Sequence, residues 1–165
     1  MFTIDYTPYK LRDWVQTCFE ESFWVNLSRN PNAIHLLEQN QDKINWESLS
    51  NNPNAIQLLE QRQDKINWRG LSSNEKAIHL LEQNPDKIDW EYLSLNDNAI
   101  HLLEQNSEQE EIDWEVLSHE PRAIHLLEQN QDKIDWERLS NNPEAIQLLE
   151  QNQDKINWEA LSDNP

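Results

Sequence analysis

The chain has 165 residues, 36% of them hydrophobic, with one Gly, one Cys and a formal net charge of −18. That charge argues against direct contact with nucleic-acid phosphates or anionic lipid, and the lone Cys18 excludes a disulfide framework or a Cys-based metal cluster. The opening MFTIDYTPYK lacks the apolar core of a signal peptide and no run approaches membrane-spanning length, so a cytoplasmic protein without a membrane partner is expected.

Residues 1–28 read as an N-terminal helical cap. Thr7-Pro8 can open a helix that carries Leu11, Trp14, Val15, Cys18 and Phe19 on one face. Cys18 is then a small buried hydrophobe rather than a reactive thiol. Asn26-Leu27-Ser28 has the form of a glycosylation triplet, but no secretory signal accompanies it.

Residues 29–165 read as six tandem copies of one unit in a single continuous solenoid. Trp recurs at Trp24, Trp46, Trp68, Trp90, Trp114, Trp136 and Trp158, in steps of 22 residues except for the 24 between Trp90 and Trp114. A fixed period of this size marks a stacked array, in which each unit completes its burial only against a neighbour. In the copy from Asn30 to Ser50, Asn30-Pro31 should cap and start a helix of about two and a half turns. Its apolar stripe is Ala33, Ile34, Leu36 and Leu37, with His35, Glu38 and Gln39 on the other side. Asn40 should end it by entering the left-handed region that Gly usually supplies.

A short polar connection leads to a second, one-turn helix. Asn45, Asn67, Asp89, Asp113, Asp135 and Asn157 precede the Trp as N-caps. Acids such as Glu47 follow in the first turn, where negative charge suits the helix dipole, and Arg69 is the departure. The expected fold is therefore an all-α solenoid of helix–one-turn-helix repeats behind an N-terminal helical cap. Between Asn106 and Ile112 the connection becomes Ser107-Glu108-Gln109-Glu110-Glu111, a longer acidic loop. Leu161-Ser162-Asp163-Asn164-Pro165 adds no polar capping element over Ile156, Trp158 and Leu161, so either the last loop covers that face or the face supports end-to-end self-association.

Few positions suggest chemistry. The seven Trp residues are read as core anchors, because proteins that stack single-stranded bases pair their aromatics with a basic groove. His35, His79, His101 and His125 share one position in successive copies and would be separated by a whole repeat. Such spacing suits shielding of the apolar stripe or bonds across copies to Gln and Glu rather than a metal, and no cofactor is expected. Seven equivalent Ser residues follow Leu and suit turn bonding rather than nucleophilic catalysis.

The copies disagree most two and five residues after Trp. The first set is Ser48, Gly70, Tyr92, Val116, Arg138 and Ala160; the second is Asn51, Ser73, Leu95, His119, Asn141 and Asp163. Three apart on a helix, the two sets should share an outward face roughly 200° from Trp. Tyr92, Leu95, Val116, His119 and Arg138 are accordingly the candidate partner-binding residues.

The pattern Leu-Ser-x-Asn-Pro-x-Ala-Ile-x-Leu-Leu-Glu-x-Asn-x-Asp-Lys-Ile-[Asp/Asn]-Trp resembles a repeat family abundant in giant DNA viruses of protists. Leu11-Arg12-Asp13-Trp14-Val15 is similar to the opening of such arrays. Glu75, Asp97 and Glu120 depart from the pattern, where Pro, Pro and Asn are expected. The resemblance implies a viral or virus-derived protein, placed in the host cytoplasm, and lends no catalytic or binding residues. The expected function is a non-enzymatic scaffold for a protein partner. Two alternatives stand beside it: an assembly component of a virus particle or factory that stacks end to end, and an acidic decoy for basic nucleic-acid-binding proteins.

Overall fold

The computed structural model describes residues 20–164, so the expected cap helix bearing Leu11, Trp14, Val15, Cys18 and Phe19 lies outside the described residues. Among these, every regular element is helical, and short helices pack on their neighbours in sequence order as an all-α solenoid. The chain enters through α1 (Glu20–Arg29). Two kinds of short helix then alternate. One kind begins at Ile: α2 (Ile34–Glu38), α4 (Ile56–Gln61), α6 (Ile78–Gln83), α8 (Ile100–Gln105), α10 (Ile124–Gln129) and α12 (Ile146–Gln151). The other begins at Trp: α3 (Trp46–Ser50), α5 (Trp68–Ser72), α7 (Trp90–Leu93), α9 (Trp114–His119), α11 (Trp136–Ser140) and α13 (Trp158–Ser162).

The Trp helices start where a short polar side chain can cap them. Asn45 Oδ1 accepts the Ser48 N–H, and Asn67, Asp89, Asp113, Asp135 and Asn157 repeat that bond, all at 2.8–3.0 Å. A cap of this kind stabilises a helix by about 1 kcal/mol, which matters for an element this short.

The Ile helices are shorter than the sequence suggests. Asn30 Oδ1 accepts the Asn32 N–H and the Ala33 N–H donates to the Asn30 carbonyl, both at 3.0 Å, which winds Pro31–Ala33 into a 3₁₀ turn. Only after Ala33, at φ −98° and ψ 2°, does the α-helix begin. The tight turn puts the Ala side chain against the neighbouring copy: Ala55, Ala77, Ala99, Ala123 and Ala145 are fully buried.

The far end of these helices also differs from expectation. No described residue has a positive φ, and Asn40 sits at φ −135°, ψ 49°. Its amide donates to the Leu36 carbonyl at 2.8 Å, and Asn84, Asn106, Asn130 and Asn152 do the same four residues back. Arg62 holds the same backbone, φ −136° and ψ 53°, without such a bond, so the turn itself needs no left-handed residue and the Asn amide adds a bond to it. The polar connection then forms a further 3₁₀ turn, Gln41–Lys43 in the first copy, which the sequence reading did not anticipate.

The core is a row of leucines. Leu37, Leu49, Leu59, Leu71, Leu81, Leu93, Leu103, Leu117, Leu127 and Leu139 have no exposed surface, each stabilising the fold by about 1.5–3 kcal/mol through burial. The indoles lie at its edge. Trp24 is buried, Trp46, Trp68, Trp90, Trp114 and Trp136 are half-buried against the leucines, and Trp158 is 66% exposed. A cation from the next copy covers four of these rings: Lys43 on Trp24, Arg62 on Trp46, Lys133 on Trp114 and Lys155 on Trp136, at 4.4–5.5 Å from the centroid.

Two hydrogen-bond ladders lock copy to copy. In the first, the Ser28, Ser50, Ser72, Ser94, Ser118 and Ser140 hydroxyls accept the N–H of the next copy's capping residue at 2.9–3.0 Å. All but Ser28 also donate to their own helix's Trp carbonyl at 2.7–2.9 Å. In the second, the buried Asn74 amide donates to the Ser50 carbonyl at 3.0 Å and the Asn52 carbonyl at 3.1 Å. Asn52, Asn96 and Asn164 repeat this double bond, and Asn142 keeps its bond to Ser118. The buried Ser carbonyls are thereby paired, and the Asn carbonyls gain a second donor beside the Ala N–H of their own copy.

Candidate functional site

Junctions between copies decide what the variable residues can do. Gly70 shows the geometry most directly, because a Cβ built on it would lie 2.6 Å from Asn51 Nδ2. At this junction the position two after Trp therefore faces the position five after Trp in the preceding copy. The uniformly outward stripe expected from the helical wheel is corrected here. Ser48 and Gly70 are buried, while Tyr92, Val116 and Ala160 are half-buried. A five-residue helix stacked between two others has little face left for solvent.

The five candidate partner-binding residues separate on this basis. Tyr92 lies under the Arg69 guanidinium, 4.2 Å from its ring centroid, and Val116 is half-buried in the junction. Arg138 is exposed and paired with Glu115 of the preceding copy. His119 is exposed, and Leu95, at 53%, is one of three exposed large hydrophobics among the described residues. Four of the five, Tyr92, Leu95, Val116 and His119, flank the junction between α7 and α9.

That junction is also where the array is least regular. Glu120 stands where Asn30, Asn52, Asn74, Asn96, Asn142 and Asn164 stand in other copies. Its carboxylate accepts the Arg122 N–H at 3.0 Å but has no N–H to give the Ser94 and Asn96 carbonyls. The second ladder thus loses a rung, while the first holds through the Asp113 N–H to Ser94 Oγ at 3.0 Å. The 107–111 segment, two residues longer, has no 3₁₀ turn and is tied down by Lys133 Nζ donating to the Ser107 carbonyl at 2.7 Å. Helix α7 is itself the shortest of the Trp helices at four residues. The signal for the missing rung was present in the sequence as the single Asn-to-Glu departure, but its meaning required the Asn contacts.

Elsewhere the polar groups satisfy one another. His79 Nε2 lies 2.6 Å from Glu60 Oε1, His101 Nε2 3.2 Å from Glu82 Oε1 and His125 Nδ1 3.0 Å from Glu104 Oε1, each across a junction. His35 instead pairs within its own copy, 2.9 Å from Gln39 Nε2. An open basin of about 560 Å³ around Pro53, Gln57, Glu60 and His79 is lined by the first of these pairs, His79–Glu60. Arg62 holds the exposed Asp64 carboxyl below the usual carboxylate range through a hydrogen bond of 3.2 Å. Among the described residues no three His, Cys, Asp or Glu side chains converge as metal ligands, and no helix is long and apolar enough to cross a membrane.

No family model, curated protein or solved structure matches the chain.

Proposed function

We propose that the chain is a non-enzymatic scaffold that binds a protein partner at the junction between α7 and α9. The observation that carries this reading is the convergence of irregularities there. An exposed Leu95, the Glu120 substitution and the lengthened 107–111 loop all fall at one step of an otherwise repetitive array. Regular copies above and below hold the backbone of this step in place, which lowers the ordering cost of binding. An apolar side chain beside a junction that lacks one hydrogen-bond rung gives a partner a contact at a step held less tightly than the others. The near-identity of the other surface positions supports a binding role over catalysis, which needs a unique constellation of groups.

The test is photo-crosslinking in extracts of the cells that make the protein. A crosslinking residue at position 95 or 119 is expected to capture one partner, while the same group at Gln57 or Gln147 captures none. A second variant, Leu95→Asn with Glu120→Asn, regularises the junction and should abolish capture while keeping the helical spectrum. Equal capture from positions 57 and 95, or undiminished capture by the regularised variant, would remove this junction from the mechanism.

A further inference from the structure

The cations that cover the indoles show what the α7–α9 step lacks. Lys43, Lys133 and Lys155 each stand directly before an Ile and place Nζ over the ring of the preceding copy's Trp24, Trp114 and Trp136, at 5.4, 4.7 and 4.4 Å from the centroid. Lys65 and Lys87 hold the same position in their copies. The copy that follows Trp90 has Glu111 there, directly before the buried Ile112. Among the described residues no cation lies over the Trp90 ring. Neighbouring bases are engaged elsewhere. Arg69 lies on Tyr92 and 3.9 Å from Asp89, and Lys133 lies on Trp114 and donates to the Ser107 carbonyl. The Trp68 ring is also uncovered, but its junction keeps the exposed Lys87 in the covering position.

We infer that a lysine side chain of the protein partner takes the place over Trp90 that the chain's own Lys takes over Trp24, Trp114 and Trp136. The inference rests on the partner site proposed above at this step. Trp90 is only half-buried, and an indole face attracts an ammonium through the ring quadrupole. The connection after it, Ser107-Glu108-Gln109-Glu110-Glu111, carries three acids and no base, where Gln41-Asp42-Lys43 carries one of each. Glu108, Glu110 and Glu111 are exposed, and none forms an ion pair among the described residues. Their carboxylates draw cations to the step and repel an acidic side chain from it. Where other copies supply the lysine, this copy supplies an acid, so an internal contact becomes one that a partner completes.

The probe is a peptide of alternating lysine and glycine, with norleucine in place of lysine as the neutral control. It is titrated into the 165-residue chain and followed by the indole N–H signals in heteronuclear NMR, with Trp90→Phe assigning the Trp90 signal. At roughly 50 mM NaCl the lysine peptide is expected to move the Trp90 signal along a saturating curve, while the covered Trp114 and Trp136 stay in place. The norleucine peptide should move none of them. Glu111→Lys returns a cation to the chain itself and should weaken the lysine peptide roughly five- to thirty-fold with an unchanged far-ultraviolet spectrum. Glu128→Lys makes the same change of charge at another exposed position and should weaken it by less than about twofold. An unmoved Trp90 signal, equal shifts at the covered rings, binding of the norleucine peptide, or equal weakening by the two variants would overturn the inference. The partner site fails separately: it falls if position 95 captures nothing, whereas capture from position 95 that Glu111→Lys leaves undiminished removes the lysine alone.

Discussion

Replacing Asn74 by Ala tests whether the asparagine ladder holds the copies together. The side chain is only 4% exposed and its amide serves the Ser50 and Asn52 carbonyls, while its Oδ1 accepts the Lys76 N–H at 3.1 Å. The Asn52 carbonyl keeps a bond from the Ala55 N–H at 3.0 Å, so its loss is partial. The Ser50 carbonyl loses its side-chain donor in a dry junction, and a buried group left unpaired costs about 1–3 kcal/mol. Adding the weaker losses gives about 2–4 kcal/mol, or a melting temperature lower by about 4–16 °C for a chain of this size. Asn54→Ala is the reference, since Asn54 makes its bond to the Pro31 carbonyl at 3.1 Å in an exposed position. It should cost under about 0.5 kcal/mol. Glu120→Asn is the converse, restoring a rung and raising stability by about 1 kcal/mol. Thermal unfolding followed by circular dichroism reads all three. If Asn74→Ala and Asn54→Ala melt together, the ladder contributes nothing and the account of the junctions is wrong.

Three further outcomes follow from the same contacts. Leu71→Ala empties a fully buried site and should cost about 2–5 kcal/mol, whereas Trp158→Ala, at an exposed indole, should cost under about 1 kcal/mol in the same melting assay. Gly70→Ala gains about 0.8–1.0 kcal/mol of helix propensity but pushes against Asn51, so alone it should be nearly neutral; combined with Asn51→Ser it should stabilise by about 0.5–1 kcal/mol, a coupling that a double-mutant cycle measures. Arg62→Ala should raise the Asp64 carboxyl toward the ordinary carboxylate range in an NMR titration. The sign follows from the lowered folded-state value, which adds stability above the unfolded pKa and loses it as pH falls through the folded one.

The architecture was legible because its determinants are local and repeated. A Trp preceded by Asn or Asp and followed by Leu three residues later fixes a capped turn of helix, and the Asn45 bond to the Ser48 N–H is that reading realised. The length of the Ile helices was misread because Asn30 caps in a way that winds a 3₁₀ turn first, a choice between two i+2 and i+3 bonding patterns that composition does not distinguish. Asn40 was assigned a left-handed backbone by analogy with Gly. Its backbone instead stays at negative φ, and its side chain adds a bond to the Leu36 carbonyl. The indoles were read as core anchors: Trp24 is one, five others pack against the leucine row from its edge, four of the seven rings lie under a cation, and Trp158 stands exposed.

The candidate site was legible only in part, and the reason lies in how repeats couple. A helical wheel treats each copy alone, so it assigned the positions after Trp to one free face. In a stack, a residue two after Trp can meet the neighbouring copy instead, as Gly70 meets Asn51. Ser48 and Gly70 are buried, and Tyr92, Val116 and Ala160 are half-buried. The survivors at the α7–α9 step are Leu95 and His119, both exposed. Both survivors sit beside the one missing Asn rung. A partner that reads this array has few distinctive groups to read, and the structure gathers them at a single step.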